Sequence, residues 1–455
     1  MAALIARITG GREGMPTSVA QLRGSETAKA AGLAGAMIAN NVIALGSTVV
    51  FARLLGDYGS LAALVSYFLI LSVVGQALQV ATAREAVLGH LGVGAGLEAT
   101  VRDWSRALAW FTLAIAVVSV LLRAPIADAV GVPHDRWAAA LGLPAGALWL
   151  ELSILRGVLQ GVGDYAGVGL SLVGEQGSRL VLGAILAASG LGVTGAYLGT
   201  PLSFIAMGAF CAWRLRGRVP RAPGEAPRAA LSLPRHVARA WAPIAGLIVI
   251  AVLQNIDIIA AKHRFSTSLA SSYGATAVAA KVLIWVAMGA GFYLVPEVSR
   301  RRAAGESTRP ILGRALAIIA VCAVPVLLIF AFGSHPLIEA AFGAKRTGAS
   351  GSLFVLGLAF TALSCTYLAI QYLLALRRTR FLAAMALVAV AEPILLLNAS
   401  RRPAGFVAVA LAVQLIGALV AFAFALRPQG PTPDASGPPA EPLAAQAPQV
   451  PEPVS

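Results

Sequence analysis

Hydrophobic positions along this chain gather in long runs instead of the one-sided stripes of soluble helices. Twelve runs can be drawn, at about 30–53, 59–82, 104–122, 137–158, 165–188, 191–213, 239–261, 270–295, 311–332, 350–375, 381–398 and 404–426. A helix needs roughly 20 mainly apolar residues to cross the hydrocarbon of a bilayer. The pattern therefore predicts an all-α polytopic membrane protein with about twelve transmembrane helices. Between the sixth and seventh runs stands "RLRGRVPRAPGEAPRAALSLPR", rich in Arg and Pro, which divides the runs into two sets of six. After Arg427 comes "PQGPTPDASGPPAEPLAAQAPQVPEPVS", whose Pro and Ala content and lack of aromatics predict disorder. The expected organisation is an N-terminal segment 1–29, a lobe 30–213, a connector 214–238, a lobe 239–426 and a tail 427–455.

Composition narrows the class. The chain of 455 residues is 58% hydrophobic and 12% charged, with a mean hydropathy of +0.80. Soluble domains carry about a quarter charged residues, so this chain cannot cover a globular surface. A net charge of +15 would suit nucleic acid, yet no basic soluble domain is there to carry such a function. The arginines sit instead in the short breaks between runs, which is an orientation signal. Placing the N-terminus inside puts most of the 35 basic residues on the cytoplasmic side, so both termini and the connector are expected there. Cys211, Cys322 and Cys365 lie singly in apolar segments and read as small core residues. No convincing cleavable signal precedes the first run.

The two halves resemble each other. A shift of 215 positions brings Asn40 onto Asn255, Ile43 onto Ile258 and Tyr58-Gly59 onto Tyr273-Gly274; a shift of 217 brings Glu175 onto Glu392. Six crossings per half return the chain to its starting side, so the repeats are expected to be parallel and to flank a central cleft.

Several stretches resemble a known family. "ARLLGDYGSLAALVSYFLI" (52–70) and "GVLQGVGDYAGVGLSLVGEQGSRLV" (157–181) look like span junctions of the oligosaccharide and polysaccharide flippases of the multidrug/oligosaccharidyl-lipid/polysaccharide (MOP) exporter superfamily. "QNIDIIAAKHRFSTSLASSYGATAVAAKV", "VPEVSR" and "PLIEAAFGAKRTGAS" are similar to later ones, so the likeness spans nearly all of 28–426. It implies a bacterial inner-membrane transporter working by alternating access, with a polyprenyl-diphosphate-linked saccharide as substrate. Membrane lipids, and a polysaccharide polymerase or glycosyltransferases, would be its partners. The second-half counterpart of "LQGVGDY" is "LALRRTRF", where arginines replace glycines, so no tight-turn role carries over.

Charged residues within or beside spans are the candidates for binding, because intramembrane charge is costly and marks function. Gln254, Asp257 and Arg264 fall close to one helical stripe, with Asn255 and Lys262 beside them. Lys262 and Arg264 are expected either to face the cleft or to snorkel to headgroups, whereas Asp257 needs a partner. Lys281 is a candidate partner or phosphate ligand. Arg179 has Glu175 four residues before it, which suits a pair within one helix. Arg53 reads as a cleft candidate or an interface anchor, Arg84 and Arg156 as topology markers, and Glu392 as locally paired beside Pro393. No catalytic motif and no phosphate-loop Gly-Lys-Ser/Thr is present, so neither enzyme chemistry nor a cofactor is expected. The rival readings are a drug/cation antiporter of the same superfamily, a polytopic polysaccharide-assembly enzyme, and a transport-inactive scaffold.

Overall fold

The computed structural model describes residues 26–216 and 232–427. The start of the chain, most of the connector and the tail expected to be disordered lie outside the described residues. Those described form sixteen α-helices and no strand.

The first half runs α1 (Glu26–Leu54), α2 (Tyr58–Val87), α3 (Ala95–Leu121), two short helices α4 (Arg123–Val130) and α5 (Arg136–Ala140), then α6 (Gly142–Gly161), α7 (Tyr165–Leu186) and α8 (Gly192–Arg216). After the connector come the short α9 (Leu233–Arg239), then α10 (Trp241–Arg264), α11 (Thr267–Ala280) and α12 (Val282–Ala303). The chain ends with α13 (Arg309–Phe342), a 3-10 segment (Ala344–Ser352), α14 (Leu353–Ala375), α15 (Phe381–Leu397) and α16 (Pro403–Ala425). Ten segments are long and apolar enough to cross a membrane. One of them, Tyr165–Arg216, holds both α7 and α8, turned between them where Gly190 and Gly192 take φ of 99° and 52°. Side chains rarely adopt such angles, so glycine permits the reversal. With α15 as a shorter apolar helix, the described residues supply twelve apolar helical stretches, those of a multi-pass membrane protein.

Packing follows the same order in both halves. α1 packs on α7, α2 and α3 on α6, α6 on α8, and α7 on α8; correspondingly α10 packs on α15, α12 and α13 on α14, α14 on α16, and α15 on α16. Small residues allow these helices to approach closely, as in membranes generally. A Cβ on Gly157 would lie 2.6 Å from the Gln79 carbonyl oxygen, so α2 and α6 meet backbone to backbone there. The second half departs from the first at one place: the counterpart of the unbroken α2 is divided into α11 and α12 at Lys281.

The lobes meet mainly through α2 against α10 and α11, while α12 packs within its own lobe. Bonds between the lobes gather at the end opposite the connector. Arg53 donates to the carbonyls of Ala340 at 2.6 Å and Ala341 at 3.2 Å. Arg346 returns the contact, donating to the carbonyls of Ala52, Leu55 and Gly56. The repeated Tyr-Gly pairs also meet: the Gly59 amide donates to Ser271 Oγ at 2.9 Å, and Gly274 lies against Tyr58 and Ala62. At the connector end α9 reaches back to the first lobe, where the buried His236 ring sits 3.0 Å from Thr82 Oγ1 and stacks on Trp104.

Candidate functional site

Each lobe holds a buried cluster of charge, and one glutamate of each cluster, Glu175 on α7 and Glu392 on α15, stands on equivalent helices. In the first lobe Glu175, on α7, accepts from Arg179 at 2.8 Å and from Arg156 of α6 at 3.0 Å. Arg156 is fully buried; it also donates to the hydroxyl and carbonyl of Ser171, both at 2.8 Å. Phe68, Trp149 and Phe204 form an aromatic wall. The Arg156 guanidinium lies over Trp149, and that of Arg179 over Phe68 and Phe204. Two arginines against one carboxylate leave an excess of one positive charge. Nη1 of Arg156, Nε of Arg179 and the Tyr197 hydroxyl are buried without a hydrogen-bond partner.

The second lobe has the opposite excess. Asp257, on α10, accepts from the Tyr273 hydroxyl at 2.9 Å. Lys281, at the α11–α12 break, donates to Asn255 Oδ1 at 2.9 Å and lies 6.0 Å from the Phe360 ring centre. Glu392 of α15, the repeat partner of Glu175, accepts from Gln414 Nε2 at 2.8 Å, and the same amide donates to the Leu253 carbonyl. Two carboxylates against one ammonium leave an excess of one negative charge. Here the buried atoms without a hydrogen-bond partner are oxygens: Oδ1 of Asp257, Oε2 of Glu392 and Oε1 of Gln414. Unsatisfied buried groups are costly, and within the two clusters these sort by sign: two guanidinium nitrogens and a hydroxyl in the first, acceptors in the second, while Arg264 Nε is unpartnered elsewhere in the second lobe. The first set can bind an anion through charge-assisted bonds. The second suits a proton or a hard cation that takes oxygen ligands. Among the described residues no group of three or more His, Cys, Asp or Glu side chains could hold a metal.

The remaining predicted residues lie elsewhere. Lys262 does not snorkel: its Nζ crosses between lobes to both oxygens of Asp57, at 2.7 and 2.8 Å, on the wall of a pocket. Arg264, at the end of α10, donates to the Ala399 carbonyl within its own lobe. Arg53 belongs to the inter-lobe contacts described above. Arg156, read from sequence as a topology marker, is at the heart of the first cluster. The misleading signal was its position near the end of a run; a lone Arg inside an apolar run was the useful one.

Asp57 also caps α2, accepting from the Ser60 amide at 3.1 Å. Burial works against its charged form, but the Lys262 and Ser60 bonds outweigh it and hold the carboxyl below the usual 3.8. A pocket of about 450 Å³ opens over this pair; on its wall burial, and then the charge of Asp57, push Asp135 up. A carboxylate depressed by its bonds stabilises the clasped lobes at all pH above its ordinary value. That stability is lost as pH falls through the depressed value. Probe pairs across this end should therefore stay close from neutral pH to about 5 and separate only below the ordinary carboxylate range. Separation beginning near pH 6 would show that the clasp does not depend on Asp57.

No protein-family model matches the chain, and no curated protein matches it in sequence. Solved structures do match in fold. An inward-facing multidrug resistance MATE family transporter of the MOP superfamily superposes with a TM-score of 0.66 at 13% identity, over 85% of this chain and 93% of its own. The lipid II flippase MurJ, in an inward closed conformation, gives 0.62 at 14% identity, over 86% and 87%. The eukaryotic MATE transporter AtDTX14 gives 0.60 at 15%, over 89% and 96%. An outward-facing MATE transporter gives 0.57 at 14%. Identities this low carry the fold alone, and the chain has the fold of the MOP-superfamily transporters.

Proposed function

We propose that the protein is an alternating-access transporter that moves an anionic, diphosphate-bearing lipid-linked saccharide across a bacterial inner membrane. The observation that carries this reading is the opposite charge of the two buried clusters. Arg156 and Arg179 offer guanidinium N–H groups suited to phosphate geometry. Asp257 and Glu392 take the coupling proton or cation, so discharge of an ion gradient can be tied to movement of the anion. Lys281 is held by Asn255 beside this second site, where its charge competes with an entering cation. The contacts of Asp57, Arg53 and Arg346 close the outer end, and the connector end faces the cytoplasm. The protein would then supply lipid-linked units to a polymerase and receive them from glycosyltransferases, without catalysing a reaction itself.

A second reading keeps the fold and changes the cargo. The acidic excess at Asp257 and Glu392 also suits a cationic drug exchanged for a proton or metal cation. The two readings differ in which lobe binds cargo. Sealed vesicles carrying the protein should translocate a polyprenyl-diphosphate saccharide under the first reading and an organic cation under the second.

Orientation has its own test. A reporter fused within residues 214–234 should read cytoplasmic, and one beside Gly190 external. Both in one compartment would contradict the arrangement.

A further inference from the structure

On the flank of the first lobe, α3 and α8 both pack on α6 and leave between them a groove of about 350 Å³ at the connector end. Its apolar walls include Leu155, Val158 and Ala212. Arg102 and Arg106 approach from α3, and Arg216 from the end of α8. Arg102 is engaged by Glu98 at 2.9 Å, whereas Arg106 lies 3.9 Å from Asp103, with both side chains mostly exposed. On the floor stands Glu151, half-buried on a membrane-spanning helix, with the Ser105 side chain in hydrogen-bonding reach. The flanking helices expose Trp110 and Trp213, as helices at a bilayer interface do.

These features match the chemistry of one kind of molecule. The arginines suit a phosphodiester, and the apolar walls suit the glycerol and upper chain of a lipid. Beyond the Ser105 hydroxyl, Glu151 has capacity for a second donor, since a carboxylate accepts several hydrogen bonds and charge at that depth is costly without them. We propose that the groove binds a phospholipid of the surrounding leaflet whose headgroup carries a donor beside its phosphate. The phosphate lies on Arg106 and Arg216, and the ethanolamine ammonium or glycerol hydroxyl lies on Glu151. A choline headgroup has no N–H or O–H and leaves Glu151 with Ser105 alone.

The test uses the full chain, purified in detergent, delipidated, and titrated by native mass spectrometry with lipids of matched chains. Phosphatidylethanolamine and phosphatidylglycerol should bind about tenfold more tightly than phosphatidylcholine, the ratio that one retained hydrogen bond supports. The Arg106→Ala, Arg216→Ala double variant should lose about tenfold for the preferred lipids. Glu151→Ala should abolish the preference over choline while keeping affinity for the phosphate. Arg123→Ala, at the other end of the lobe, should bind as the wild type does. Should the double variant not fold, Arg216→Ala alone, an exposed residue at a helix end, carries the same comparison. Equal binding of all three lipids by the wild type, an arginine variant that binds unchanged, or displacement of lipid by millimolar inorganic phosphate would overturn the proposal.

Discussion

Arg179→Ala should cut transport of a polyprenyl-diphosphate saccharide by roughly ten- to a hundredfold while leaving the protein folded. The magnitude follows from a charge-assisted hydrogen bond being worth about 1.5–3 kcal/mol, with each ~1.4 kcal/mol a factor of ten. The fold should survive because Glu175 keeps its second partner, Arg156, at 3.0 Å. Arg156→Ala is a different experiment. That residue is wholly buried, is bound to Ser171 and Glu175, and lies against Trp149. Breaking a buried pair from one side costs about 3–5 kcal/mol, so this variant should accumulate poorly before its transport can be assayed. Transport per folded molecule, set against yield, separates the two. Wild-type transport by Arg179→Ala would remove the first-lobe cluster from the binding site.

Asp257→Asn and Glu392→Gln should uncouple movement from the ion gradient. Each substitution keeps a hydrogen-bond acceptor for its present partner, Tyr273 in one case and Gln414 in the other. Each also removes the charge, and either amide can turn an N–H toward the place where an unpartnered oxygen stands in the wild type. Transport driven by a pH or sodium gradient should fall to the rate seen without a gradient, and that basal rate should persist. The check is initial rate against imposed gradient in vesicles, for the wild type and both variants. An unchanged dependence in both would place coupling elsewhere in the molecule.

Much of the architecture could be read from the chain, because the bilayer imposes one length on every crossing. The apolar runs and the pairing of Glu175 with Glu392 at an offset of 217 both follow from order along the sequence. The two glutamates occupy equivalent helices, α7 and α15, in lobes packed in the same order. What their clusters do with the repeat was not legible. Arg156 comes from another helix to give the first cluster its positive excess; Asp257 gives the second its negative one. Periodicity reports which face of a helix is apolar and says nothing of which helix stands opposite. For the same reason Lys262 could be placed near a helix end but not against Asp57, 205 positions away. Arg346, within "GAKRTGAS", has the sequence context of an ordinary loop residue, yet it ties the 3-10 segment to the carbonyls that end α1.

The central claim is that the cationic cluster of the first lobe carries an anionic lipid-linked cargo while the acidic cluster of the second couples it to a gradient. Its most direct measurement is translocation in sealed vesicles holding the full chain. A fluorescent polyprenyl-diphosphate saccharide and an organic cation would be assayed side by side, for the wild type and Arg179→Ala, with and without a gradient. The account predicts gradient-stimulated movement of the lipid-linked saccharide, lost in Arg179→Ala, and no saturable movement of the cation. Saturable movement of the cation, indifferent to Arg179, with the saccharide left in its original leaflet, would contradict it.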